Sequence, residues 1–371
     1  MDGKNLNIAL FSPAKNPYSE TFIQAQKNNL KGNVFYFYGS GDDIKLEGED
    51  FNITQLSFCQ KLNKKISHKP VSQFRATNIV RSLKKNRIDV VLVQYGNHAH
   101  HLMPVFKQMN IGVVVHFHGY DASVKNVILS TNTYKEVFSR STYIIAVSKK
   151  MKEMLLDLGC PEEKLILNIY GPNPLFLKVK PACSEKTIIA IGRFVDKKAP
   201  HLTILAFSKV LEKHPDAILL MGGSGVLYNA CVDLSIALGC FDSIRFLNII
   251  KPEEFQEVLS RARCFVQHSK IALNGDMEGT PVAVLEACAA GVPVVSTYHA
   301  GIPDVIQHGK TGLLSVEGDI RSMAEHIIQL LDNPDYAKQL GQAGKKRIKN
   351  HFSMERYITK LDELIRLSSG L

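Results

Sequence analysis

The chain reads as an α/β protein built from two doubly wound parallel-sheet domains, and three observations predict this. Short apolar runs alternate with helical patterns along nearly the whole sequence, as they do where helices cover both faces of a parallel sheet. The alternation is interrupted at Tyr170-Gly-Pro-Asn-Pro174 and then begins afresh, which reads as an interdomain linker. The 371 residues are also enough for two full cores.

In the first half, strands are expected over residues 6–12, 34–38, 90–94, 113–117 and 143–147. Helical patterns lie between them at 20–30, 71–86, 98–109, 122–138 and 149–158. A loop over 13–19 follows the first strand, and Ser19-Glu20-Thr21 can cap the next helix. In the second half, a strand over 187–191 empties into Gly192-Arg193 and a loop reaching Lys198, with a helix from His201. The strand over 217–221 ends in Gly222-Gly-Ser-Gly225, where glycine lets backbone come close to a ligand, although the full dinucleotide fingerprint is absent. Strands over 244–247, 264–267 and 292–296 complete the core, and the tail holds helices near 320–331, 334–349 and 353–367.

Composition excludes several classes. With 45% hydrophobic and 22% charged residues the chain is an ordinary globular one, and no apolar run reaches the ~18 residues of a membrane span. The N-terminus lacks a signal-peptide pattern, and the seven cysteines are scattered without a Cys-x-x-Cys, so reduced thiols and a cytoplasmic location are expected. Residues 1–175 carry 22 Lys and Arg against 14 Asp and Glu, whereas the remainder carries 23 against 21, so most of the formal +10 sits in the first half. It clusters at Lys61, Lys64, Lys65 and Lys69 and at Arg81, Lys84, Lys85 and Arg87, which suits either an anionic partner such as a membrane surface or a solvated helix face.

The most informative stretch runs over 278–296. Thr280 suits an N-cap and Pro281 the first helical position, so a helix is expected to open there and stop at Gly291. Glu278 then precedes the helix and Glu286 lies in its second turn. Eight residues of helix rise about 12 Å, whereas paired glycosidase carboxylates lie about 5 to 9.5 Å apart. The two Glu are therefore spaced to grip two ends of an extended ligand, with the free N–H groups of the helix start between them as a place for phosphate. A first-turn acid and a solvated helix residue would leave the same spacing.

Arg193 and Lys198 flank one strand-to-helix loop and can supply the positive charge that a diphosphate needs, since no Asp-x-Asp is present to hold a divalent ion. His98, His100 and His101 lack a nearby acidic or Cys partner, and no metal site is expected there. His118 and Asp121, in His116-Phe-His118-Gly-Tyr-Asp121, follow a strand end, where open sheets bind ligands.

Taken together, Gly192-Arg193 with Lys198, the Gly222–Gly225 turn, Glu278-x7-Glu286, Ala300-Gly-Ile-Pro-Asp304 and Gly309-Lys-Thr-Gly-Leu-Leu314 resemble the retaining glycosyltransferases of family 4, with the GT-B architecture. Ser19-Glu-Thr-Phe-Ile23, Phe117-His-Gly-Tyr-Asp121 and Asn274-Gly-Asp-Met-Glu-Gly are similar to bacterial exopolysaccharide enzymes of the colanic acid type.

The resemblance implies two Rossmann-like domains facing across a cleft: an acceptor-binding domain over 1–172, a nucleotide-sugar-binding domain over 173–352, and a closing helix over 353–371 that crosses back to the first. It implies that Arg193, Lys198, the N–H groups of Val282 and Ala283, and the Gly223 turn hold the diphosphate, with Glu286 on the ribose and residues 247–250 beside the base. Glu278 would hold the transferred sugar and His118 would lie at its reacting end. The donor would be a UDP- or GDP-linked sugar, with no cofactor, and the acceptor a glycan or lipid-diphosphate-linked glycan; no nucleic acid is implied. The usual glycine after the phosphate-binding Lys is Ala199 here, and the familiar Gly-Gly of the first loop is replaced by Pro13–Ser19. Competing expectations are an inverting transferase using His118 or Asp121 as base, a phosphorylase or epimerase on the same fold, and a non-catalytic binding subunit.

Overall fold

A computed structural model of the chain describes residues 5–15 and 20–370. Part of the loop over 13–19 and the Ser19 cap therefore lie outside the described residues. The chain forms two compact units. The first comprises Met1–Val147, Met151–Asn168 and Ile358–Leu371, and the second Ser148–Lys150 and Ile169–Tyr357. The main division falls at Asn168, a few residues before the Pro-rich punctuation at 170–174.

The first unit is built on strands β1 (Asn7–Ser12), β2 (Asn33–Ser40), β3 (Asp43–Leu46), β4 (Val90–Gln94), β5 (Gly112–His116), β6 (Tyr143–Ala146) and β7 (Leu165–Leu167), in the sheet order β3-β2-β1-β4-β5-β6-β7. All pairs are parallel except β2 with β3, an antiparallel edge hairpin. Neither β3 nor β7 was expected, because each spans only three or four residues and shows too little period to be read. The central strand β4 is buried at every position, Val90 through Gln94, so its run of apolar residues is what a strand covered on both faces requires. The tail helix Met354–Ser368 contributes to this unit: Asp362 Oδ1 accepts the Lys31 N–H at 2.9 Å, and Gly112 lies so close to Ser368 that a Cβ would sit 1.9 Å from its carbonyl oxygen.

The second unit is built on β8 (Thr187–Ile191), β9 (Ile218–Gly222), β10 (Ile244–Asn248), β11 (Cys264–Val266), β12 (Val294–Thr297) and β13 (Gly312–Ser315), all parallel, in the order β10-β9-β8-β11-β12-β13. Its core packs Ile188, Phe207, Leu219 and Val266 against Met323 and Ile327 of the helix Ile320–Asp332.

Both strand orders reverse direction once, between β1 and β4 in the first sheet and between β8 and β11 in the second. Loops leaving the C-terminal ends of those strands border an open crevice, where doubly wound sheets bind ligands. The residues after β4 and β5, and those after β8 and β11, are the ones on which the sequence motifs fall.

The edge strand β13, four residues long, was not expected either, and two helical segments of the first unit depart from expectation. The single helix expected over 122–138 is broken into Tyr120–Ser123, Lys125–Ser130 and Lys135–Arg140, because Val124 is extended and Asn132, Thr133 and Tyr134 all adopt positive φ. Residues 58–67 form an unanticipated helix, opened by a reciprocal capping box between Ser57 and Gln60.

Candidate active site

In the second unit the chain leaves β8 at Ile191, makes a short 3-10 turn over Asp196–Lys198, and enters the helix Pro200–Leu211 through Ala199 in the left-handed region. Each residue of that turn holds a different point of the segment 270–278. Asp196 accepts the Leu273 N–H at 3.0 Å and pairs with Lys270 at 2.7 Å. Lys197 pairs with Asp276 at 2.9 Å and donates to the Met277 carbonyl at 3.2 Å. Lys198 Nζ lies 3.1 Å from Glu278 Oε1 and 3.4 Å from Gln267 Oε1. Its stem passes over Gly192, where a Cβ would meet Lys198 Cδ at 2.9 Å, so the glycine makes room for the lysine.

The Lys198–Glu278 pair is largely desolvated, with side chains 14% and 10% exposed. Burial pushes the Glu278 carboxyl up, but the charges of Lys198 and Lys197 and the Lys198 hydrogen bond outweigh it and bring the value down to about 2. Burial draws the Lys198 ammonium down, opposed by Glu278. Sequence reasoning gave these two residues separate parts of a ligand; the structure instead pairs them with each other.

The helix that follows runs Val282–Ala290 and is capped by Pro281, one residue later than expected, because Pro281 is extended (ψ 120) rather than helical. Pro281 O accepts from Val284 and Leu285, and the Val282 and Ala283 N–H groups, the first two of the helix, have no acceptor among the described residues. Gly291 ends the helix at φ 86 in the left-handed cap that favours glycine. Glu286 lies in the second turn, half-buried, and has no partner among the described residues; burial alone pushes its carboxyl up to about 8. Arg193 is exposed and likewise has no side-chain partner among the described residues.

The glycine turn after β9 serves packing within the protein. A Cβ at Gly223 would lie 1.9 Å from the Gly192 carbonyl oxygen, and the Gly223 N–H is taken by Asn248 O at 2.6 Å. The glycine thus lets the loops after β8 and β9 touch, and that N–H is not available to a phosphate. Residues 247–250 leave β10 through Asn248, which has φ 54, and Ile249 is 50% exposed.

In the first unit, Gln94 at the end of β4 organises a directional chain of neutral groups. Gln94 Nε2 donates to Gln26 Oε1 at 2.7 Å, and Gln26 Nε2 lies 3.0 Å from His116 Nδ1. Gln94 Oε1 is therefore the acceptor for His118 Nε2 at 2.9 Å, which gives that nitrogen the proton. Burial, with the neighbouring His116 ring as the lesser cause, holds His118 well below the ordinary imidazole range, so the ring is neutral near pH 7. Its faces meet Phe22, Tyr95 and His116, each with ring centroids 4.5 Å away.

Asp121 is fully buried. Its oxygens accept the N–H groups of Gly96, His118 and Gly119 at 2.9 to 3.0 Å. Its carboxylate fixes the backbone of two loops and has no access to a substrate proton, which removes it as the base of an inverting mechanism. His98 is buried in the helix Gly96–Phe106, and burial lowers it to about 3. Among the described residues no group of three His, Cys, Asp or Glu is placed to hold a metal ion.

Sequence reasoning missed Gln26, Lys197, Asp276, His299 and Glu317. Lys197 stands beside a motif residue and Asp276 within a quoted motif, but their pairing bridges 79 positions, and no local signal encodes that.

Residues 33–167 match the family described as Glycosyltransferase Family 4, and residues 177–347 match Glycosyl transferases group 1. The chain is 28% identical over 285 residues to the amylovoran biosynthesis glycosyltransferase AmsK of Erwinia amylovora, covering 75% of this chain and 70% of that one. It is 28% identical over 256 residues to the putative colanic acid biosynthesis glycosyltransferase WcaL of Escherichia coli K12, covering 67% and 63%. The match thus spans less than two thirds of the WcaL chain. In fold it is similar to Anabaena Alr3699/HepE, solved with UDP and glucose, at a TM-score of 0.78 and 14% identity over 98% of this chain and all of that one. With both family matches falling in order along most of its length, one on each parallel-sheet unit, the chain belongs to the family 4 glycosyltransferases of GT-B fold.

Proposed function

We propose that this glycosyltransferase moves a sugar, with retention of anomeric configuration, from a nucleoside diphosphate sugar to a hydroxyl of a glycan or lipid-diphosphate-linked glycan in bacterial surface polysaccharide assembly. The observation that carries the donor assignment is the set of donors beyond β8 and at the start of the helix Val282–Ala290: Arg193, Lys198 in an exchangeable pair with Glu278, and the Val282 and Ala283 N–H groups, of which Arg193 and the two N–H groups have no partner among the described residues. A diphosphate satisfies all of these without a metal. Glu286, partnerless and half-buried, suits the ribose hydroxyls, and residues 247–250 the base.

In this reading the bond between the anomeric carbon and the β-phosphate oxygen breaks while Arg193, Lys198 and the helix N–H groups take up the developing charge. The acceptor hydroxyl attacks from the same face, its proton leaves with the diphosphate, and a new glycosidic bond forms. Glu278 holds the sugar hydroxyls, and His118, neutral and fixed by Gln94, contacts the reacting end. The protein's contribution is positional and electrostatic, and no covalent nucleophile is required. The relatives named for amylovoran and colanic acid synthesis support the polysaccharide setting, and the UDP bound by HepE supports a UDP-linked donor.

The acceptor side fits an anionic membrane surface. The helix Phe58–Ser67 has no buried residue, and Phe58, Leu62 and Ile66 are 81%, 53% and 72% exposed along one stripe beside Lys61, Lys64 and Lys65. Apolar side chains flanked by lysines match an interfacial helix on acidic lipid. No helix among the described residues is long and apolar enough to cross a membrane. Sedimentation with acidic vesicles is expected to fall at high salt and in Phe58→Ser; binding indifferent to both removes this docking mode.

The deciding experiment is a thermal-shift panel of UDP, GDP, ADP and their sugar conjugates with chelator present, on wild type and Arg193→Ala. A ligand at 100 times its Kd adds about 2.7 kcal/mol to the state that binds it. One nucleotide should stabilise wild type and not the variant, and NMR of the product should show the donor's anomeric configuration. Inversion would overturn the mechanism, and turnover without an acceptor would indicate a phosphorylase or epimerase.

A further inference from the structure

We propose that His299, locked by Glu317 into the tautomer protonated at Nδ1, is a positioning residue that uses its Nε2 lone pair to hold the Glu278 backbone and so aims the Glu278 carboxylate. The assignment of Glu278 to the donor sugar rests on the function proposed above; the tautomer and the contact do not.

His299 follows β12 and its side chain is fully buried. Nε2 lies 3.1 Å from the Glu278 N–H, which can only donate, so this nitrogen carries a lone pair. Nδ1 lies 2.6 Å from Glu317 Oε1, and a carboxylate accepts, so Nδ1 carries the proton. The partners thus fix both ring nitrogens. Glu317 Oε2 also accepts the Ile271 N–H at 2.9 Å, so the Glu317–His299 pair ties together the two ends of the segment 271–278.

A second tie lies next to it. The Gly301 N–H donates to Gly279 O at 3.0 Å, and a Cβ at Gly301 would lie 2.4 Å from that oxygen. The backbone on both sides of the Glu278 side chain is therefore held by the loop after β12, while the carboxylate remains directed at Lys198. An apolar ring of the same shape in place of His299 would fill the volume and lose the lone pair. A carboxylate displaced by about 1 Å can cost about 10²-fold in rate. The relevant property of His299 is therefore an acceptor at one ring position, which separates this role from simple packing.

The test has two arms. Long-range 1H–15N spectra of 15N-histidine protein, with His299 assigned by its absence in His299→Gln, should show a neutral ring protonated at Nδ1, and Glu317→Leu should abolish that signature. A ring protonated at Nε2 overturns the proposal whatever the enzyme's reaction. In the activity arm, His299→Phe is expected to lower kcat by about 10²-fold with the nucleoside diphosphate Kd within twofold. His299→Gln, whose Oε1 can accept the same N–H, should recover most of that loss. Equal kcat in the Phe and Gln variants, both folded by circular dichroism, overturns the positioning role. If His299→Phe does not fold, Glu317→Leu takes its place: a lowered kcat with unchanged nucleotide Kd supports the role, and an unchanged kcat overturns it.

Discussion

At the ends of β4 and β5 the candidate residues are neutral and spend their hydrogen bonds on one another: Gln26, Gln94, His116 and His118 form one chain, and the buried Asp121 is surrounded by three backbone N–H groups. At the ends of β8 and β11 and in the helix that follows the residues are ionisable, and some are left open: Arg193 and Glu286 have no side-chain partner among the described residues, and Lys198 and Glu278 have chiefly each other. The first arrangement is stiff, because its polar groups are already oriented toward one another; in the proposed function it meets acceptor hydroxyls by shape. The second leaves polar groups open, which the proposed function fills with the donor. The same doubly wound topology thus carries two kinds of polar surface, and what separates them is whether the polar groups at the switch point are closed or open.

The largest break in that comparison should come from the open side. Lys198→Ala is expected to lower turnover by about 10² to 10³, measured under saturating donor, and to leave the Glu278 carboxylate without its main counterion. The Glu278 carboxyl lies below its ordinary value of 4.5, so its pairing contributes stability above that pH and loses it as pH falls toward about 2. The melting-temperature gap between wild type and Lys198→Ala should therefore close between pH 5 and pH 2; a gap constant with pH would argue against the ion pair as its source.

The closed side should break in stability rather than chemistry. Asp121→Ala orphans three backbone donors, at about 1 to 3 kcal/mol for each one left buried, so a large fall in melting temperature is expected. The pH dependence of whatever activity remains should match wild type. A lost acidic limb would instead restore Asp121 as a base. Gln94→Leu, which removes the acceptor of His118, should cost turnover about tenfold while nucleoside diphosphate affinity, measured by calorimetry, stays within twofold.

The smallest effect concerns Glu286. Its carboxyl is raised to about 8, whereas ribose hydroxyls donate to and favour the ionised form. Nucleotide binding at pH 7 should therefore release a fraction of a proton, seen as a dependence of binding enthalpy on buffer ionisation heat. Glu286→Gln should abolish that dependence.

The fold was legible where burial writes a long signal. β4 and β8 have the expected bounds because each carries four consecutive apolar residues between clear breaks. The edge strands β3 and β7 are too short to show a period, and the helix Phe58–Ser67 has no buried face to impose one. The positive φ values at 132–134 are set by tertiary context and not by a Gly or Pro. In the site, Arg193, Lys198, Glu278 and Glu286 were visible as residue types at telling positions. Their partners were not, because pairs such as Lys198–Glu278 and Glu278–His299 join segments that only the sheet order brings together.

Ala199 separates Lys198 from the helix behind it, with φ 37 and no exposure. A left-handed alanine costs about 1 to 2 kcal/mol relative to the right-handed form. A glycine there would remove that cost but add about 0.4 to 1 kcal/mol of unfolded-state entropy. The strain is the larger of the two, so glycine would favour folding at this position. The alternative conformations that each allows in the folded protein do differ: glycine would let the turn visit several backbone shapes, and alanine admits few. At this position, then, a methyl group that costs some stability narrows the set of backbone shapes open to Lys198.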